Sequence, residues 1–254
     1  MEYQSKRWTD NQLKLAYYLY CQLPFGKLHS RNPLIIKMAS FLERTPDALA
    51  MKLVNFASFD PAIRATGRKG LGNASQSDRK IWDSFHNNWV QLAEECALLL
   101  HNSKFAILEE ESDEQTDYAG ETRESIVKTR IGQSFFRKSV LASYENTCCM
   151  SGVSIPELLV ASHIIPWSKA KENRLNPCNG LCLSAIHDKA YDKGLLTVLS
   201  DYSIKVSSRI SACNNNSEQI KLLFLLNGKT IKFPSKFLPE KKFLEWHNNN
   251  IFIS

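Results

Sequence analysis

Apolar residues recur at three- and four-residue spacing near the start of the chain. Leu13, Ala16, Tyr17 and Tyr20 share one side of TDNQLKLAYYLYCQL, which predicts a helix with Thr9 as its N-cap. Pro24-Phe25-Gly26 breaks it. Asn32-Pro33, a capping side chain followed by a first-turn proline, starts a second helix that turns Leu34, Ile35, Met38, Ala39 and Leu42 inward. Arg44 sits in a tight turn, and Thr45-Pro46 opens a third helix with Ala48, Leu49, Leu53 and Phe56 on its apolar side. Trp82, Phe85, Trp89, Leu92 and Leu99 predict one further helix over residues 77–100, its aromatic stripe serving as core.

The second half mixes periods. Phe135, Phe136, Val140 and Tyr144 lie on one side of a predicted helix. A short apolar run over residues 158–164 reads as a strand ending at His163, followed by Pro166 and a polar loop. Asn179-Gly180, by itself a turn signal, precedes a second short strand over 181–184 and a short helix carrying His187, Asp188 and Asp192. LLTVLSDYSIKVS reads as a hairpin with Ser200-Asp201 near its turn, LNGKTIKFP as a further strand, and EKKFLEWHNNNIF as a closing helix in which His247 is structural. Helices first and small strands later make the expected class α+β.

Charge divides the chain more clearly than composition does. Residues 1–108 carry 14 Lys/Arg against 9 Asp/Glu, residues 109–120 (EEESDEQTDYAG) six acids and no base, and residues 121–254 18 bases against 11 acids. An acidic, apolar-poor stretch between two basic blocks predicts a helical domain over 1–108, a linker over 109–122 and a second domain over 123–254. The net charge of +6 suits a polyanionic partner without establishing one. No apolar run approaches the roughly 18 residues that cross a bilayer. MEYQSKRWTDNQ lacks the apolar core of a signal peptide, so a cytoplasmic location is expected. Seven cysteines without framework spacing read as reduced thiols. The adjacent pair Cys148-Cys149 and the spacing of Cys178 and Cys182 do not make a zinc knuckle.

The stretch CCMSGVSIPELLVASHIIPWSKAKENRLNPCNGLCLSAIHDKAYDKGLLTV carries five elements in order: a Cys-to-Gly turn, ASHI, Asn-Gly, His-Asp and a final Asp. It resembles the HNH endonuclease family, in the branch with an ASHI…NG…HD…D pattern. The resemblance implies a ββα-metal nuclease domain with extra strands and hydrolysis of DNA phosphodiester bonds with a divalent cation, Mg²⁺ or Mn²⁺. It casts His163 as the base that takes a proton from water and Asn179 as the residue that orients loop and base. The family's residue before the base often ligates the metal; here it is Ser162, a weak donor, so the helix must supply most of the binding. The family's last ligand falls about nine residues after the asparagine, which is Asp188. Asp192 lies four residues on, on the same helix face. His187, about 100° away on an ideal helix, is the rival ligand.

RWTDNQLKLAYYLY…LIIKMASFLERTPDALAMKLVNF resembles the Myb/SANT-like trihelical group, through Trp8-Thr9 and the turn before the third helix. That resemblance implies DNA contact by the third helix, with Lys52 on phosphate and Asn55 on a base edge. Arg64, Arg68 and Lys69 in the following glycine-bearing loop, and Arg130 and Arg137 on the later helix, are further candidates for phosphate contact. The pairing of such units suits a restriction or phage-defence nuclease. A homodimer would account for double-strand cutting, although no segment identifies its interface. Two other functions stay open: a non-catalytic DNA-binding regulator using the HNH fold as scaffold, and a structure-selective or RNA-cutting nuclease.

Overall fold

The computed structural model describes residues 7–65, 74–101, 123–212 and 217–254. The loop with Arg68 and Lys69 and the acidic stretch 109–122 lie outside the described residues. Among the described residues the first part contains the α-helices α1 (Asp10–Gln22), α2 (Pro33–Phe41), α3 (Pro46–Ala57), α4 (Pro61–Ala65), α5 (Gln76–Phe85) and α6 (Trp89–His101). Thr9, Asn32 and Thr45 cap α1, α2 and α3 as the sequence predicts, and Gln12 completes a capping box with Thr9. The expected single helix over 77–100 is two. His86 stacks on Trp82 with ring centroids 4.3 Å apart and closes α5, and Trp89 begins α6.

One stripe of α1 was expected to be buried, but Leu15, Tyr18 and Leu19 are buried as well. The reason is that α1 is central, packing against α3, α5, α6 and the long helix α7 (Arg123–Ser143). Tyr18 stacks on Phe135 of α7 at 5.0 Å. Leu34, expected inward on α2, is 39% exposed, because Ile35, Met38 and Ala39 take the inner face.

After α7 come β1 (Leu159–His163), β2 (Gly180–Ser184), α8 (Ala185–Asp192), β3 (Leu196–Val198), β4 (Ile204–Val206), α9 (Ser208–Ala212), α10 (Glu218–Phe224) and α11 (Lys241–Asn250). The fold is thus a helical N-terminal region with small antiparallel sheets toward the C-terminus. β1 pairs with β2 and β3 with β4, both antiparallel. The further strand expected in LNGKTIKFP reduces to one bridge between Ser203 and Thr230. Pro234 closes that segment and has no N–H to extend a ladder. His247 is structural: its Nδ1 meets Thr197 Oγ1 at 2.9 Å, its Nε2 meets the Tyr191 carbonyl at 3.2 Å, and its ring stacks on Tyr191 at 3.8 Å.

One hydrophobic core runs through both parts. Lys236, fully buried, donates to the carbonyls of Tyr20, Cys21 and Leu23 at 2.6, 3.1 and 2.7 Å. Carbonyls at the C-terminal end of a helix lack the usual intrahelical donors. Among the described residues, only Tyr20 of these three also accepts from a backbone N–H, that of Leu23 at 3.4 Å. Phe237 beside it packs edge-on against Tyr20 and Trp89. A segment near the C-terminus therefore caps a helix near the N-terminus.

Candidate active site

The hairpin of β1 and β2 fixes which side chains face which way. Its register pairs His163 with Gly180, Ser162 with Leu181 and Ala161 with Cys182. Strand alternation puts Leu159, Ala161, His163 and Gly180 on the face toward α7, and Ser162 on the other. Gly180 is an extended strand residue rather than part of a turn. A Cβ there would come within 2.4 Å of Val140 and 2.9 Å of Phe136 on α7, so only glycine permits this approach. Ser162 is 3% exposed, and its hydroxyl has no hydrogen-bond partner among the described residues.

The imidazole of His163 lies on Phe136, with centroids 3.8 Å apart and planes within 9°, and Trp167 meets it edge-on at 5.7 Å. Its Nε2 is 2.9 Å from the Arg174 carbonyl. A carbonyl only accepts, so Nε2 carries the proton and Nδ1 holds the free lone pair. Burial pushes this imidazole down to about 4, against a smaller opposing effect of the Arg174 carbonyl. The ring is neutral at pH 7.

The Arg174 carbonyl is held by a network centred on Asn179, which is fully buried. Asn179 Oδ1 accepts from the Ile165 N–H at 2.8 Å, and its Nδ2 donates to the Ile165 and Asn173 carbonyls at 3.1 and 3.3 Å. Its own carbonyl accepts from the Ile164 N–H at 2.9 Å. Both ends of the loop after His163 are thereby tied to one side chain. Arg174 donates through Nε to the Trp167 carbonyl at 2.9 Å and lies 5.2 Å over the Trp167 ring. Sequence reasoning passed over Trp167 and Arg174 and read Phe136 as core alone. The only signal for them was their position within or opposite the loop after His163.

On α8 the three candidate ligands take different positions. His187 is 7% exposed, with Nδ1 2.8 Å from Ser184 Oγ and 3.5 Å from Cys148 Sγ. No hydrogen bond among the described residues engages its Nε2. Burial raises the Cys148 thiol, but hydrogen bonds from His187, Ser151 and the Ser151 and Met150 backbone outweigh it and bring the thiol to about 6. Asp188 is half-buried and Asp192 lies at the surface. The Asp192 carboxyl is raised by partial burial and then by the charge of Asp188, against Lys189 and Lys193. A carboxyl whose ionisation is disfavoured by a neighbouring carboxylate suits a site shared with a cation. Among the described residues no three His, Cys, Asp or Glu side chains are close enough to enclose a metal ion. The donor set fits a hydrated Mg²⁺-type ion held by one or two carboxylates better than a protein-caged zinc. Cys148, Cys149 and Cys182 are buried free thiols.

A cleft opens beside His163, lined by Gln133, Ser134, Phe136 and Arg137 of α7, by Val160, Ala161 and His163 of β1, and by Trp167. Asp188 and Asp192 are not among its lining residues. The structure brings His163 and Arg137 to one cleft, with Asn179 holding the loop that follows His163. On α3, Asn55 is 6% exposed and donates to Asp78 at 3.0 Å, and Lys52 pairs with the same carboxylate at 2.8 Å. Asp78, fully buried in the capping box of α5, draws both side chains inward. Arg64 is exposed and donates to the Ser58 carbonyl at 2.8 Å, and Arg130 is exposed on α7.

Residues 148–199 match the HNH endonuclease family, a segment that contains β1, β2, α8 and β3. No curated protein sequence matches the chain.

Proposed function

From a chain whose C-terminal part carries an HNH-family domain, we propose a metal-dependent endonuclease that hydrolyses DNA phosphodiester bonds with His163 as general base. The observation that carries this reading is the tautomer of His163, with Nε2–H committed to the Arg174 carbonyl and Nδ1 making no hydrogen bond among the described residues. A water placed at Nδ1 gives up its proton there as it attacks phosphorus. The imidazolium that forms is stabilised through Nε2–H by the same carbonyl. An imidazole held near 4 is almost wholly available as base at pH 7, though a weak one. A bound phosphate beside it raises its proton affinity when the proton must move. Asn179 acts through the loop, as a positioning residue.

A divalent cation, Mg²⁺ or Mn²⁺, would be held by Asp188 and Asp192, with His187 Nε2 as the rival donor, and would supply charge stabilisation at the phosphate and the leaving oxygen. Restriction or phage defence is the role this reading favours for the whole chain, by analogy of architecture. Base reading by Asn55 would require opening its bond to buried Asp78, which speaks against α3 as the specificity element.

A second reading, a regulator that binds DNA without cutting it, is favoured by one observation: the α8 carboxylates do not line the cleft beside His163. Incubation of the purified protein with modified and unmodified plasmid and phage DNA separates the two. The nuclease reading expects cuts with Mg²⁺ or Mn²⁺ and none in EDTA. Retention of DNA with intact strands under every metal would support the regulator and overturn the enzyme. Mapping the ends tells whether one strand or both are cut.

A further inference from the structure

Half of the residues lining the cleft beside His163 come from α7, which lies outside the segment matched to the HNH family. Arg137 is the one charged group among the cleft's lining residues, His163 being neutral. It is half-buried, and one of its N–H groups donates to the Leu159 carbonyl at 2.9 Å. No carboxylate pairs with it among the described residues. A guanidinium has five donors and keeps its charge at any working pH, so most of its hydrogen-bonding capacity here is unspent. Aromatic and aliphatic walls from Phe136, Trp167, Val160 and Ala161 lower the local dielectric and strengthen its pull on an anion.

Gln133 sits one turn before Arg137 on the same side of α7, and its amide makes no hydrogen bond among the described residues. The helix is fixed against the neighbouring loop at the adjacent position, where a Cβ on Gly132 would come within 3.1 Å of Leu175. Thus a cation and an amide stand on a rigid helix, with the cation also pinned to β1, at the mouth where His163 lies. Planar, bidentate donors of this kind recognise phosphate.

We propose that this cleft is an anion site that seats a DNA phosphate, with Arg137 as its charged donor and Gln133 as its neutral one. The identity of the anion as the phosphate next to the cut rests on the nuclease reading. The presence of an anion site does not.

Binding of a short fluorescein-labelled DNA duplex in EDTA, titrated with NaCl, tests the site without requiring cleavage. Two variants are compared with the unaltered full-length protein. Arg137→Gln removes the charge, and Gln133→Glu places a carboxylate against Arg137 while leaving its bond to Leu159 in place. Circular dichroism and thermal melting check that each is folded. Each variant is expected to bind roughly tenfold more weakly at low salt, and the slope of log affinity against log salt falls by about one. Arg137→Lys regains the slope but only part of the affinity, since it restores charge without the fork. Unchanged affinity and slope in folded Gln133→Glu and Arg137→Gln overturn the anion site, even where His163→Ala abolishes cutting. Conversely, weakened binding in both variants with cutting untouched by His163→Ala keeps the anion site and removes the nuclease assignment of its neighbour.

Discussion

The ring of His163 rests flat on Phe136, 3.8 Å between centroids, at the point where β1 meets α7. The stack excludes water from one face of the imidazole, and burial is the main reason it sits near 4. Phe136→Leu opens that face. The imidazole of this variant should rise toward its ordinary value of about 6.5. A base works only when deprotonated, so the rate must fall once the pH drops through its pKa. In the unaltered protein the acid limb of kcat/KM at saturating Mg²⁺ is expected below about pH 5, and in Phe136→Leu at least one unit higher. Coincident profiles would show that the stack does not tune His163.

Asn179 fixes the loop that supplies the Arg174 carbonyl, through contacts to Ile165 and Asn173. Asn179→Asp keeps the acceptor but loses both donated bonds. A fall of roughly ten- to hundredfold in kcat with little change in KM is expected, as for groups that orient a reacting side chain. Stability should drop by about 2 kcal/mol, two bonds' worth. A melt that shifts while kcat holds would limit Asn179 to a folding role.

The carboxylates of α8 are the expected metal donors. Asp188→Asn and Asp192→Asn should each raise the Mg²⁺ concentration for half-maximal cutting by roughly tenfold or more. His187, turned inward to Ser184 and Cys148, should change it less when replaced by Ala. The reverse ranking would move the ligand assignment to His187.

Lys236 joins the two parts of the chain by capping α1 with three hydrogen bonds. Lys236→Met fits an apolar chain into the same space but takes the ammonium donor from the carbonyls of Cys21 and Leu23 and leaves Tyr20 only its long bond from the Leu23 N–H. The expected loss is about 3 kcal/mol, read as one cooperative transition at lower temperature in both far- and near-ultraviolet circular dichroism. A variant as stable as the parent would show that these carbonyls find other partners.

Much of this was legible in the sequence wherever the cause was local. Thr9, Asn32-Pro33 and Thr45-Pro46 announce helix starts because capping is settled within four residues. β1 and β2 follow from short apolar runs and their breakers, within a residue of where they lie, and α8 carries His187, Asp188 and Asp192 as expected. What escaped was set by distant partners. Asn55 looked like a solvent-facing base reader until Asp78, 23 residues on, drew it in. Asn179-Gly180 looked like a turn, but the glycine answers to Val140 and Phe136 on another helix. Lys236 carries no local pattern at all, since its partners lie more than 200 residues away. At the site, His163 was visible from its place at a strand end, while its tautomer depended on the Arg174 carbonyl and could only be read in three dimensions.

The most direct measurement is plasmid cutting by the full-length protein and by His163→Ala at pH 7 with Mg²⁺, alongside DNA binding by both in EDTA. Loss of at least a hundredfold in cutting rate with binding within about twofold is the outcome expected of a removed general base. Equal cutting rates in the two proteins would contradict the assignment of His163 and the mechanism built on it.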